Sequence, residues 1–183
     1  MTRYVALLRG INVGQHKRIA MAPLRDLLGD LGYTEVKTHL QSGNAVFTSA
    51  ARPAEQVAQA IEERIATDTG YDVRVVVRTS DELASVVDAN PLIDSMTDPA
   101  RMLVAFLSAE PAAERLAEIE PGDYEPERFA VRDREIYLWC PGGIRDSKIV
   151  EVFSDKRLGV DVTARNWRTV TKLAELSMSG SAP

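Results

Sequence analysis

Three short polar stretches carry the residues best suited to chemistry. They are Arg9-Gly10-Ile11-Asn12-Val13-Gly14, Gln41-Ser42-Gly43-Asn44 and Thr163-Ala164-Arg165-Asn166-Trp167-Arg168-Thr169-Val170. Each reads as the end of a structural element, where folds build sites. Arg9 offers a planar fork of donors suited to carboxylate or phosphate. Gly10 and Gly14 permit positive φ and close backbone approach. Lys17 and Arg18 add charge. Together they point to an anion site, although glycines that only shape a loop and an Arg9 paired with a local acid explain the same residues. Gln41, Ser42 and Asn44 either form a hydrogen-bonding patch beside that loop or satisfy the backbone of their own turn.

A fourth stretch, Pro141-Gly142-Gly143-Ile144-Arg145-Asp146-Ser147-Lys148, leads a glycine pair into a helix. Ser147 and Lys148 fall in its first turn, where free N–H groups favour phosphate. A plain strand-to-helix connection with a serine cap accounts for it equally. Asn166 suits an N-cap. Trp167 either stacks on a base or packs the last helix on the core. Arg165 is the more informative residue, because capping does not need a charge there.

Several chemistries lack their signatures. The dinucleotide fingerprint G-x-G-x-x-G and the phosphate loop G-x-x-x-x-G-K-[ST] are missing. So is the nucleophile elbow G-x-S-x-G. His16 and His39 stand far apart without ligand-spaced partners, so no metal site is expected. The cofactor, if any, is unknown from sequence, and no residue is assigned a catalytic role.

Composition narrows the classes further. The chain has 183 residues, 45% hydrophobic and 27% charged, and a net charge of -5. That is ordinary globular protein. Residues 1–79 carry net +2 and residues 80–183 net -7, so the first half can still carry a local basic surface. A single cysteine, Cys140, excludes an internal disulfide and fits a cytoplasmic location. No apolar stretch approaches a membrane span, and no signal peptide is evident.

The elements that must position these residues follow from periodicity. Val5 to Leu8 reads as a buried strand. A helix from Pro23 carries Leu24, Leu27, Leu28 and Leu31 on one face and stops at Gly32. Val36 to Leu40 and Ala45 to Thr48 form a hairpin. A second helix from Pro53 buries Val57, Ala60, Ile61 and Ile65, and Val73, Val75 and Val77 alternate as a strand. This order is β-α-β-β-α-β, the ferredoxin-like unit. In that unit the end of the first strand lies near the start of the third, so Arg9 is expected near Asn44. A linking helix starts at Thr79-Ser80 and ends at Asn90-Pro91.

The order then recurs. Leu103-Val104-Ala105-Phe106-Leu107 echoes Tyr4-Val5-Ala6-Leu7-Leu8. A short helix over Ala112 to Ile119, a hairpin over Arg128 to Cys140, a helix over Ser147 to Leu158 and a brief strand over Val160 to Val162 follow. A last helix runs from Asn166 to Leu176. The expected fold class is α+β, with two tandem ferredoxin-like subdomains, the second followed by a C-terminal helix. The expected boundaries are 1–79, a linking helix and loop over 80–99, a second subdomain over 100–176, and a flexible tail over 177–183.

The polar stretches, with Asn90-Pro91, Pro141-Gly142-Gly143-Ile144 and Ser147-Lys148, resemble in type and order the bacterial domain-of-unknown-function 1697 family. The resemblance implies two ferredoxin-like α+β subdomains. It implies no activity, because the family has no established one. Where members often carry a second glycine after the counterpart of Gly14, this chain has Gln15, which argues against a phosphate cradle.

Four functions remain open on sequence. The first is a module binding a small anionic ligand, a nucleotide or phosphorylated metabolite, through Arg9, Asn12, Gly14, Gln41, Ser42, Asn44, Lys148, Arg165, Asn166 and Trp167. The second is a single-stranded nucleic-acid binder using a sheet face. At 6% aromatic residues and negative charge, composition disfavours it. The third is an enzyme acting on a phosphorylated substrate. The fourth is a protein-interaction domain using a sheet edge, and edge pairing leaves monomer and homodimer both open.

Overall fold

The computed structural model describes residues 1–119 and 121–179. The elements are β1 (Thr2–Leu8), α1 (Met21–Asp30), β2 (Thr34–His39), β3 (Asn44–Ser49), α2 (Ala54–Thr69), β4 (Val75–Thr79) and α3 (Ser80–Asp88). There follow β5 (Met102–Leu107), α4 (Ala113–Ala117), β6 (Arg128–Arg132), β7 (Glu135–Trp139), α5 (Lys148–Val152), α6 (Asp155–Leu158), β8 (Val162–Asn166) and α7 (Trp167–Met178). The fold is mixed α+β. Its two four-stranded sheets have the orders β2-β3-β1-β4 and β6-β7-β5-β8, with every neighbouring pair antiparallel. By contacts the chain divides into two compact units, Met1–Ser85 with the segment from Lys172 on, and Val86–Thr171.

In the first unit β1 is central because its apolar run is uninterrupted and both faces are buried. Tyr4, Ala6 and Leu8 join Ala45, Phe47, Val75 and Val77 in a core closed by Leu24 and Leu28 of α1 and Val57, Ile61 and Ile65 of α2. The four-residue spacing along α2 puts its three side chains on one stripe. Full burial of each such chain stabilises the unit by about 1.5–3 kcal/mol. Gly70 ends α2 with φ +72, a left-handed cap that glycine adopts without strain. On the other sheet face Val5, Leu7, Val46, Val76 and Arg78 are buried too. Thr79 and Glu82 start α3 with reciprocal bonds: the Glu82 N–H donates to Thr79 Oγ1 at 3.2 Å and the Thr79 N–H to Glu82 Oε2 at 2.7 Å.

The second unit builds its core from Leu103, Ala105, Leu107, Ile136, Leu138 and Cys140, packed with Ile149, Phe153 and Leu158. Phe129 meets Phe153 edge-on, ring centres 5.0 Å apart.

Four sequence expectations need correction here. The helix expected over Ser147 to Leu158 is two short helices, α5 and α6. Phe153 leaves helical geometry at φ -88, ψ 54 while keeping its ring buried. The strand expected over Val160 to Val162 is β8, reaching Asn166, because Thr163, Ala164 and Arg165 pair with Phe106, Ala105 and Val104. The pairing overrides a polar local sequence. The linking helix ends at Asp88 rather than at Asn90, which instead accepts the Leu92 N–H through Oδ1 at 2.9 Å. α7 continues through Met178, into the segment expected as a tail. Residues 180–183 of that tail lie outside the described residues.

Candidate functional site

The first unit brings the loop after β1 and the β2–β3 turn together. The Leu8 N–H donates to the Gly43 carbonyl at 2.8 Å, and the Arg9 N–H to the Arg74 carbonyl at 2.9 Å. The loop then bends through four residues of positive φ: Gly10 at 63°, Asn12 at 56°, Gly14 at 60° and Lys17 at 45°. Asn12 holds the arrangement. Its Nδ2 donates to the carbonyls of Ile19 at 2.8 Å and Gln41 at 2.7 Å, and its Oδ1 accepts from the Ile19 N–H at 3.0 Å. One amide thus closes the loop and fastens it to the turn. Asparagine tolerates the left-handed geometry better than most residues.

Gly43 sets the spacing from the other side. It has φ +82, and a Cβ there would stand 2.6 Å from Ile11 Cδ1 and 2.9 Å from Leu8 Cβ. Asn44 is fully buried; its Nδ2 donates to the His39 carbonyl at 2.7 Å and to Ser42 Oγ at 3.1 Å. Asn12 and Asn44 are therefore builders of the site. Arg9, Gly14, Gln15, Arg18, Gln41 and Ser42 are exposed. Lys17 Nζ donates to the Asp72 carbonyl. The chain carries Arg3, Arg9, Lys17, Arg18 and Arg25 before its first acid, Asp26. The loop's own charges are all positive.

The second unit places its candidates on two elements. Arg165, on β8, is buried, and its Nη1 donates to Thr163 Oγ1 at 3.0 Å and to the Ala164 carbonyl at 2.8 Å. Burial pulls its guanidinium pKa down to about 10. Asn166 caps α7, accepting from the Thr169 N–H and Oγ1, each at 2.9 Å. Trp167 is buried. Lys148 opens α5, whose N–H groups already have acceptors: Ser147 Oγ takes Val150 at 3.4 Å and Glu127 Oε2 takes Ile149 at 3.1 Å. A carboxylate in that place disfavours phosphate. Lys148 shares a cleft of about 230 Å³ with Asp123, Glu125, Glu127 and Asp146, an acidic setting.

Cys140 is buried with Sγ 3.3 Å from Ser147 Oγ, and burial raises its thiol pKa. The neutral thiol persists at pH values where a free cysteine ionises. Alkylation by iodoacetamide at mildly alkaline pH is expected to be at least about tenfold slower than for a free thiol, and to accelerate in denaturant. Mass spectrometry of the timed reaction checks this.

Against this geometry, the model of the family described as "Protein of unknown function (DUF1697)" matches residues 1–137. The chain belongs to that family. The DUF1697 match spans the loop, the turn and most of both sheets. The chain is also similar in structure to the conserved bacterial protein SP0830 from Streptococcus pneumoniae. The TM-score is 0.76 at 24% identity, over 96% of this chain and 98% of that one. At that identity the likeness concerns the fold. None of the curated proteins matches. Among the described residues no helix is long and apolar enough to cross a membrane, and no group of three or more His, Cys, Asp or Glu is placed to hold a metal ion.

Two buried arginines escaped sequence reading. Arg78 is 2% exposed and sits beside Val5. The signal was a charge closing the run Val75-Val76-Val77. Arg3 is 9% exposed and precedes the apolar run of β1 with no flanking motif to mark it.

Proposed function

We propose that this DUF1697 protein binds a small anionic ligand, a nucleotide or phosphorylated metabolite, at the loop Arg9–Arg18 and the turn Gln41–Ser42 of the first unit. The observation that carries the reading is the loop itself. Four positive-φ residues are pinned by Asn12 around exposed Arg9 and Arg18, with no acid in the segment. Backbone that alternates in hand can form a concavity suited to anions. The Arg9, Asn12 and His16 N–H groups donate to the Arg74, Lys17 and Val13 carbonyls, so the attraction rests mainly on the Arg9 and Arg18 side chains. Gln41 and Ser42 add neutral donors. Binding is favoured over catalysis because the segment holds no carboxylate and both asparagine amides serve the scaffold.

A stacking site for nucleic acid has less support. The first sheet's face away from α1 and α2 carries Val5, Leu7, Val46, Val76 and Arg78 and no Phe, Tyr or Trp. Phe106, Tyr137 and Trp139 lie on the second sheet's face opposite Leu103, Ala105 and Leu107 and are buried.

We infer further that the two units are ferredoxin-like repeats in a cytoplasmic bacterial protein. Both sheets have the same strand order. Val5 opposes Arg78 as Val104 opposes Arg165, so the pentapeptide echo extends to a buried arginine in the fourth strand of each unit. The single buried thiol accords with a reducing compartment.

Arg9→Ala is expected to weaken ligand binding about tenfold while leaving unfolding stability within about 0.5 kcal/mol of the parent. Calorimetric titration with a panel of nucleotides and sugar phosphates reads the affinity. Binding that is unchanged in Arg9→Ala removes the reading.

A further inference from the structure

We propose that Arg3 anchors a second oxyanion-binding site, separate from the loop and specific for a planar carboxylate or phosphate edge. Arg3 opens β1, at the opposite end of the strand from Arg9, roughly 20 Å away at the rise of a strand. Its side chain is only 7% exposed. Nη1 donates to Glu35 Oε2 at 3.0 Å and to Thr48 Oγ1 at 2.9 Å, and Thr48 Oγ1 donates to the same carboxylate oxygen at 2.8 Å. These bonds fix the guanidinium plane. Nε and Nη2 have no hydrogen-bond partner among the described residues, and both are buried.

Those two atoms form one edge of the guanidinium, the side-by-side pair of N–H groups that matches the two oxygens of a carboxylate or phosphate. Arginine–carboxylate pairs frequently use that edge with both carboxylate oxygens. Here one Glu35 oxygen meets Nη1 and the bidentate edge stays open. Buried donors without acceptors are rare in folded proteins and call for an occupant.

The neighbouring edge strand is the part that gives way to an occupant. β2 is an edge strand, and its register shifts between Thr34 and Lys37. Glu35 lies in this bulge with φ +51 and a half-exposed side chain. Bulges re-aim side chains beside sites. This one turns the half-exposed Glu35 onto Nη1, and an oxyanion that reaches the buried fork does so by moving Glu35 and the end of its edge strand.

The test follows the Arg3 Nε–Hε signal by NMR in the whole protein, with sodium acetate and inorganic phosphate as probes and sodium chloride at matched ionic strength as control. The site predicts a saturable downfield shift of Arg3 Hε with acetate or phosphate and none with chloride. Arg3→Lys keeps the charge and loses the fork, and is expected to bind about tenfold more weakly. If Arg3→Lys does not fold, the parent signal decides alone. An Arg3 signal that stays fixed, as when water fills the edge, overturns the proposal. So does a signal that moves equally with chloride. Arg9→Ala leaves the Arg3 response intact, which separates this site from the loop.

Discussion

Gly43→Ala lowers the stability of the first unit by about 3 kcal/mol. Two effects add. A left-handed alanine costs roughly 1–2 kcal/mol, and overpacking a closed site costs about 1–3 kcal/mol. The added Cβ would stand 2.6 Å from Ile11 Cδ1 and 2.9 Å from Leu8 Cβ. Leu8 belongs to the central strand, and its N–H bonds the Gly43 carbonyl. The strain therefore falls on the joint between β1 and the turn, which neither side can vacate. Gly14→Ala separates the two effects, because Gly14 has φ +60 and nothing within 4 Å of its Cβ position. It should lose only about 1 kcal/mol. Urea unfolding followed at resolved β1 and β3 amides measures both. Equal losses for the two variants would show that the close approach at Gly43 carries no energy.

Phe47→Ala is expected to be the most damaging single change in the first unit, at about 4 kcal/mol. Phe47 lies on β3 with its ring stacked on Tyr33 at 4.5 Å and 8°, and beside Tyr4 at 6.0 Å. Removing the ring opens a cavity under α1 and α2 and ends both aromatic contacts, each worth about 0.5–1.5 kcal/mol. Phe47→Leu keeps most of the volume and should lose about 1.5 kcal/mol. The same urea experiment distinguishes them. A loss under about 1 kcal/mol for Phe47→Ala would mean that this core collapses freely around the gap.

Legibility in the sequence tracked how local the determining physics is. Leu24, Leu27 and Leu28 announced α1 by spacing, and Gly32 ended it in the place a left-handed cap requires. Val57, Ile61 and Ile65 did the same for α2. The paired β3 and β1 brought the loop and the turn into contact as the element order led one to expect. β8 was misread because Thr163-Ala164-Arg165 has no strand signature of its own; its partner β5 supplies the reason to extend. The break between α5 and α6 likewise depends on where Phe153 finds a buried place against Phe129.

Within the candidate site, residue types were legible and roles were not. Asn12 and Asn44 looked like ligand donors, yet their amides hold backbone carbonyls. Lys148 looked like a phosphate contact at a helix start, yet Glu127 reaches that start first. Arg3 carried no signal, since an arginine at a strand's first turn reads as a surface charge until the bulge at Glu35 is known. Side-chain destinations of this kind are set by tertiary neighbours, which composition and spacing do not encode.

The most direct test of the central claim is an amide NMR titration of the parent protein with nucleotides and sugar phosphates at two salt concentrations. Shifts concentrated on Arg9 to Arg18 and on Gln41 to Ser42, weakening as salt rises, are the predicted result. A panel that moves no amide in either segment, or moves only amides elsewhere, would contradict an anion site at this loop.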